Sequence, residues 1–270
     1  MTAAGDAATP CKISLVFPVY NESGRLAQTF EQVAAWLAAP PRTPAEVILA
    51  DDGSEDGTLA LLEEFARQRP GSVQVLRLPH RGKAATVRDG VLAARGELVL
   101  FSDADLSVPL DDAALLIAAI EDGADVAIGS RELPGATREA EPAYRHLMGR
   151  AFNQVVQVLL VPGIQDTQCG FKMFRRAAGR GIFESLRCHA VGTRPVRGPM
   201  VTAFDVELLF LARQRGLRID EVPVHWTHGP GSKVRPVLDS LRMLRDVLHV
   251  RWAALRGAYR DGSTNGPRHG

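Results

Sequence analysis

Short apolar runs rich in Val, Ile, Leu and Phe recur along the first half of the chain: ISLVF from Ile13, EVILA from Glu46, VQVLRL from Val73, ELVLF from Glu97 and DVAIG from Asp125. Runs of this length, each followed by a turn signal or an amphipathic segment, predict strands. Between them apolar residues return every three or four positions, predicting helices over Arg25 to Leu37, Gly57 to Arg69, Ala84 to Arg95 and Asp111 to Glu121. Strand and helix alternating in this way make βαβ units, hence an α/β fold with a mostly parallel central sheet flanked by helices. Open sheets of this kind bind ligands beyond the carboxyl ends of their strands. The loops after the runs, PVYNE, DDGSEDGT, PHRGKA, SDADLS and GSRELPG, carry nearly all the chemically interesting side chains and are expected along one edge.

After Arg138 the pattern changes to a long helix over Ala143 to Leu160, then DTQCGFKMF, a basic irregular stretch RCHAVGTRPVRGPM, and AFDVELLFLA. From Val237 to Leu255 an apolar stripe of Leu238, Leu241, Leu244, Leu248, Trp252 and Leu255 shares a helix with Arg242, Arg245 and Arg251, and Arg256 follows. This C-terminal amphipathic helix either packs on the core or lies on a membrane surface. The expected organisation is a disordered N-terminus over 1–11, one domain over 12–233 whose halves divide near 138, the amphipathic helix over 234–257, and a disordered tail over 258–270.

Composition adds exclusions. The 270 residues are 46% hydrophobic, enough for a substantial core and too many for a disordered chain. Lys plus Arg total 32 against 31 acids, so no global field announces nucleic acid as partner. Cys11, Cys169 and Cys188 are widely spaced, without a metal-ligand pattern, and no signal-like segment opens the chain, which points to a reducing cytosol. No run approaches the length of a spanning helix.

The chemistry concentrates in the loops. Asp103 and Asp105 follow a strand-like run and are separated only by Ala104. If the chain is still extended there, both carboxylates point to one side, tolerable in solvent or with a cation between them and a second anion. In PVYNE, Pro18 is expected to end strand pairing, Tyr20 offers a flat ring and Glu22 an acceptor at a helix start. In DDGSEDGT, Asp51 and Asp52 suit a ribose or a base N–H, and Asp56 suits a helix cap.

FPVYNE, ADDGSEDGT, SDADLS and GSR, in this order and spacing, resemble the inverting GT-A glycosyltransferases that use nucleotide-diphosphate sugars. DTQCGFKMF, AFDVELLFLA and HWTHGPGSKV are similar to the dolichyl-phosphate β-glucosyltransferases and the bacterial polyprenyl-phosphate sugar transferases, so the resemblance spans Ile13 to Val234. It implies a GT-A fold with a donor half over 12–138 and an acceptor half over 139–233. It also implies transfer of a hexose, glucose from UDP-glucose first, to a polyprenyl or dolichyl monophosphate with inversion. GDP-mannose as donor, a glycan or small-molecule hydroxyl as acceptor, and a non-catalytic nucleotide-sugar-binding membrane adaptor are the alternatives. The donor sugar and oligomeric state stay open.

By that resemblance Asp103 and Asp105 are a D-x-D pair holding Mg²⁺ or Mn²⁺ against the donor diphosphate. Pro18, Tyr20 and Glu22 sit near the nucleoside, Asp52 ahead of Asp51 on the uracil or ribose, and Lys83 near the phosphates. His80 and Ala84 stand where relatives often carry Asn and a second Gly. Arg131 and Arg145 bracket the acceptor phosphate, although Gly149 departs from the Ser of the mannose-transferring branch. Asp205, with Arg131, is the catalytic pair, and Asp166, Gln168, Ser232 and Lys233 shape the sugar or acceptor pocket. Cys169 is expected to be packed rather than reactive, and RCHAVGTRPVRGPM to order over bound substrate. The enzyme would sit at the cytosolic face of a membrane, attached peripherally.

Overall fold

The computed structural model describes residues 12–39, 45–139, 142–188, 202–228 and 236–259; the side chains of Arg145 and of residues 236–239 are not described. The predicted strands form as β1 (Ile13–Val19), β2 (Ala45–Asp51), β3 (Val73–Arg77), β4 (Leu98–Ser102) and β5 (Val126–Ser130). Helices α1 (Leu26–Ala38), α2 (Thr58–Arg67), α3 (Lys83–Ala93) and α4 (Ala113–Glu121) lie between them. The later chain adds β6 (Thr137–Glu139), α5 (Ala143–Leu159), β7 (Phe171–Arg175), α6 (Arg176–Glu184), α7 (Phe204–Gln214), β8 (Ile219–Pro223), β9 (His225–Thr227) and α8 (Pro236–Leu255).

Seven strands make one sheet in the order β3-β2-β1-β4-β7-β5-β8, with β7 antiparallel to both neighbours and every other pairing parallel. A separate parallel pair joins β6 to β9. The sheet is therefore mixed but mostly parallel. Its two faces are covered, which is why the strands read as continuous apolar runs rather than alternating ones. On one face Val16, Val99, Phe101 and Phe174 meet α3, α5, α6, α7 and α8; on the other Leu15, Phe17, Leu100 and Met173 meet α1, α2 and α4. Because β7 and β8 complete the sheet begun by the first five strands, the division near residue 138 does not divide the sheet.

Two sequence expectations about the strand ends change. Pro18 does not stop β1, which runs on to Val19 with Pro18 opposite Ala50. Asp52 N–H donates to Val19 O, so the odd residues of β1 address β2, and the missing N–H of Pro18 falls on the other side, where pairing with β4 has ended at Val16. Nor is the chain extended through Asp103: β4 ends at Ser102, and Leu106 N–H donates back to Asp103 O at 3.1 Å, closing a turn.

Helices α5 and α8 lie side by side. On α8, Val247, Val250 and Ala253 are buried, while Leu241, Leu248, Trp252 and Leu255 are exposed. The described part of the stripe read from sequence thus lies outward, and a second, smaller-residue stripe faces the core. On α5 the residues Tyr144, Leu147, Ala151, Val155 and Val158 are exposed. They repeat the intervals of Leu241, Leu244, Leu248, Trp252 and Leu255, of which Leu244 is half-buried.

Candidate active site

A cleft of about 210 Å³ opens at the carboxyl ends of β1, β2 and β4. It is lined by Pro18, Tyr20, Glu22, Asp52, Lys83, Asp103 and Asp105 among the expected donor residues, with Arg25, His80, Gly82 and Thr86 added. The loops that build it are backbone-strained where the motifs predict function. Among the described residues, Asn21 of PVYNE and Leu106 of SDADLS are the two non-glycine residues with positive φ, 51° and 48°.

The loop at residues 80–82 is fixed by Asp52. Its carboxylate accepts Arg81 N–H at 2.8 Å and Gly82 N–H at 2.9 Å and meets His80 Nδ1 at 2.8 Å. Gly53 permits the approach: its φ is +70°, and a Cβ there would stand 2.8 Å from His80 N. The result is a parallel stack of the His80 and Tyr20 rings, centroids 4.0 Å apart and planes 1° apart. Asp52 has thus committed its acceptors within the protein. Asp51 does not line the cleft; it is buried, accepts Ser54 N–H through Oδ2, and leaves Oδ1 without a partner among the described residues.

Lys83 opens α3 and reaches across the cleft to Asp103 Oδ1 at 2.5 Å. Burial works against its charge, but Asp103, then Asp205 and Asp105, outweigh it and hold its pKa above the ordinary lysine value. Asp103 in turn is shaped by a residue the sequence reading passed over. A Cβ on Gly170 would lie 2.3 Å from Asp103 Oδ2, so only glycine leaves room for that carboxylate. Asp105 is exposed, with Oδ1 accepting Ser107 N–H at 3.1 Å.

Behind the cleft, charges alternate. Asp205, in the first turn of α7, pairs with Lys172 Nζ at 2.6 Å. Lys172, the second residue of β7, is 0% exposed and also donates to Cys169 O. Nothing assigned it a role in the sequence reading, yet a lysine inside the apolar run FKMF is itself a signal, since a buried ammonium needs a partner. Asp166 receives Arg131 in a fork, Nε at 2.7 Å and Nη2 at 2.9 Å, plus the Arg131 backbone N–H at 3.0 Å. Burial disfavours the Asp166 carboxylate, but Arg131 more than compensates and holds its pKa well below the usual range. Gln168 N–H also donates to Asp166. Asp166 therefore orients Arg131 and does not line the cleft. Arg131 also lies over the Trp226 ring, 5.3 Å from its centroid. Cys169 is buried, and burial, reinforced by Asp166, pushes its thiol up to about 12, so it is packed and inert.

Among the described residues no cluster of three or more His, Cys, Asp or Glu could hold a metal. Of the four carboxylates that line the cleft, Asp52 is committed to the 80–82 loop and Glu22 is paired with Arg25, which leaves Asp103, in contact with Lys83, and Asp105. That set fits a cation such as Mg²⁺ that takes one or two carboxylates and completes its shell with phosphate oxygens and water. It does not fit a dedicated structural metal. Ser232, Lys233 and most of RCHAVGTRPVRGPM lie outside the described residues, as do the terminal segments 1–11 and 260–270.

A mostly parallel sheet with one antiparallel insertion, helices on both faces and an acid-lined cleft at its strand ends is the arrangement of the GT-A fold. The chain belongs to glycosyl transferase family 2, whose sequence profile matches residues 14–183. It is 36% identical to a dolichyl-phosphate beta-glucosyltransferase of Drosophila melanogaster, over 93% of this chain and 78% of that one. With the Saccharomyces cerevisiae protein of that name the identity is 34%, over 92% and 77%. Among solved structures, it is similar to glucosyl-3-phosphoglycerate synthase from Mycobacterium tuberculosis in complex with UDP (TM-score 0.60, 16% identity, 90% of this chain and 80% of that one). A mannosyltransferase from Pyrobaculum calidifontis in complex with GDP-mannose and Mn²⁺ gives a TM-score of 0.59 at 19% identity, over 93% and 65%.

Proposed function

We propose that this glycosyltransferase moves glucose from UDP-glucose to a polyprenyl monophosphate of the dolichyl type, inverting the anomeric carbon. The observation that carries the reading is the extent of the likeness to dolichyl-phosphate beta-glucosyltransferases, which runs over nine-tenths of the chain at 34–36% identity. The cleft supports it. Tyr20, backed by His80, gives a flat ledge for the base, and Asp52, which lines the cleft, holds the 80–82 loop beneath that stack. Glu22 and Pro18 close the nucleoside end, and Lys83 stands where the diphosphate would lie.

Asp103 and Asp105 would hold Mg²⁺ or Mn²⁺, which supplies neutralisation of the charge on the departing nucleoside diphosphate. Asp205 positions the incoming phosphate rather than deprotonating it, since an ionised phosphate monoester is already a nucleophile. The acceptor oxygen forms its bond to the anomeric carbon as the bond to UDP breaks, with no proton to remove. Arg131, locked by Asp166, presents a preset cation to the acceptor phosphate, with Arg145 as its partner. Gln168, Ser232 and Lys233 complete the pocket.

A polyprenyl phosphate keeps its tail in a bilayer, so the enzyme must come to a membrane surface. Among the described residues no helix is long and apolar enough to cross one. Instead, α5 and α8 pack side by side, and their exposed apolar stripes supply an apolar surface. Arg150, Arg242, Arg245 and Arg251 on these helices, and Arg256 just beyond, are exposed beside it, and α5 contains no acid. Such a face binds anionic leaflets peripherally. The test is direct: purified protein, polyprenyl phosphate in detergent, Mg²⁺, and radiolabelled UDP-glucose or GDP-mannose. Label from UDP-glucose in the lipid-phosphate fraction, and only background from GDP-mannose, is expected; no lipid-linked product from UDP-glucose would overturn the reading.

A further inference from the structure

Helix α7 begins without a side-chain cap of its own. The acceptor at its start comes from a different helix: Asp246 Oδ2 on α8 accepts the Ala203 backbone N–H at 3.3 Å. A carboxylate there both satisfies an otherwise orphaned donor and meets the positive end of the helix dipole. One turn further, Glu207 is 0% exposed. Its Oε1 collects Arg187 N–H at 2.6 Å, Cys188 N–H at 2.9 Å and the Tyr259 hydroxyl at 2.8 Å. Tyr259 follows α8 and packs edge-on against Phe210 of α7, centroids 5.5 Å apart. Cys188 Sγ lies 3.2 Å from the same hydroxyl.

A buried carboxylate is expensive, and Glu207 does not line the cleft. Its neighbour on the same turn is Asp205. Two residues apart on a helix, their side chains diverge by about 200°, and they do so here: Asp205 faces Lys172 of the sheet, and Glu207 faces Tyr259, just after α8. The first turn of α7 is thus held on one side by the site and on the other by α8 and the residues after it.

We propose that Asp246 and Tyr259 are positioning residues: acting through Ala203 N–H and Glu207, they set the register of the first turn of α7, and so couple the seating of α8 on a lipid surface to the placement of Asp205. The inference rests on the transfer reaction and membrane face proposed above. It gives the outward stripe of α8 a second consequence, because lipid that fixes α8 also fixes the helix carrying Asp205.

Two substitutions remove the contacts: Tyr259→Phe, which keeps the ring against Phe210, and Asp246→Ala, which removes the acceptor for Ala203 N–H. In the full chain, amide hydrogen exchange over Phe204–Leu209 is followed with and without vesicles of phosphatidylcholine and phosphatidylglycerol. The wild type is expected to slow several-fold on adding vesicles, and the two variants to show little change while binding UDP with Mn²⁺ as the wild type does. In turnover, both should lose about tenfold in kcat with the KM for UDP-glucose unchanged. Equal slowing in all three proteins, or none in the wild type, would overturn the coupling. Unfolding of both variants would also count against it, since the contacts would then serve the fold alone. Exchange needs no turnover, so a wild type that transfers no glucose sinks the proposed reaction, whereas failed exchange coupling in an active wild type sinks only this inference.

Discussion

Asp105 is the site carboxylate whose removal can be read most cleanly. It is exposed, and its contact with Ser107 N–H uses an oxygen that asparagine also has. Asp105→Asn should therefore keep the turn and the melting temperature but lose metal-dependent transfer, measured against Mg²⁺ concentration; unchanged Mg²⁺ dependence at full activity would make Asp105 a turn residue only. Arg131 behaves differently because its removal strands a buried acid. Arg131→Met should cost about 3 kcal/mol at pH 7, the usual order for breaking a buried pair. The sign of its pH dependence follows from Asp166. In the wild type its pKa is depressed, so its stabilisation is present above the unfolded value of about 3.9 and is lost as pH falls through the lower folded value. Without Arg131, burial is less opposed and the pKa rises, so the deficit should shrink between pH 7 and pH 5 in urea titrations. A deficit constant across that range would show that Asp166 is held by other donors. At this scale the motif residues were legible because their chemistry is in their side chains. Gly170 and Lys172 were not assigned, because their importance lies in what a fold brings against them: Asp103 for one, Asp205 for the other.

Strands β1, β2, β4 and β5 were legible as buried apolar runs and β3 as a half-buried one, whereas β8, parallel to β5 but half-exposed and carrying Asp220 and Glu221, was not. Nor was the antiparallel β7. FKMFR is short and carries two cations, and its place between β4 and β5 depends on partners 44 to 77 residues away, from Ile128↔Lys172 to Leu98↔Arg175. The α8 stripe was found but its direction could not be, since a sequence with apolar residues on two faces of a helix does not say which one meets the core. The structure gives the inner face to Val247, Val250 and Ala253. It follows that Val247→Asp should destabilise the fold by several kcal/mol, as burying an unpaired charge does. Trp252→Asp should leave thermal unfolding nearly unchanged and weaken sedimentation with anionic vesicles. If Trp252→Asp also unfolds the protein, the outward face is covered by protein and not by lipid.

For the whole molecule the informative quantity is where charge lies and not how much there is. The net charge is +1, too small to attract a membrane from a distance. Yet α5, α8 and the residue after them carry Arg145, Arg150, Arg242, Arg245, Arg251 and Arg256 against Asp239 and Asp246, and Asp246 is turned toward α7. Each basic residue near an anionic surface contributes about 1 kcal/mol, and that contribution falls within a Debye length of about 8 Å at physiological salt. Attachment should therefore be strong at low salt, weaken steeply as salt rises, and retain a residual apolar component from Leu241, Leu248, Trp252 and Leu255. Reversing Arg242, Arg245 and Arg256 together to Glu should release the protein from anionic vesicles. All three lie on or just after α8 and outside the cleft, so binding of UDP with Mn²⁺ in solution should be unaffected. Wild-type protein that stays in the supernatant with anionic vesicles at low salt would assign the exposed stripes to a protein partner, most simply a second copy of the chain, and analytical ultracentrifugation of the same sample would then show a dimer.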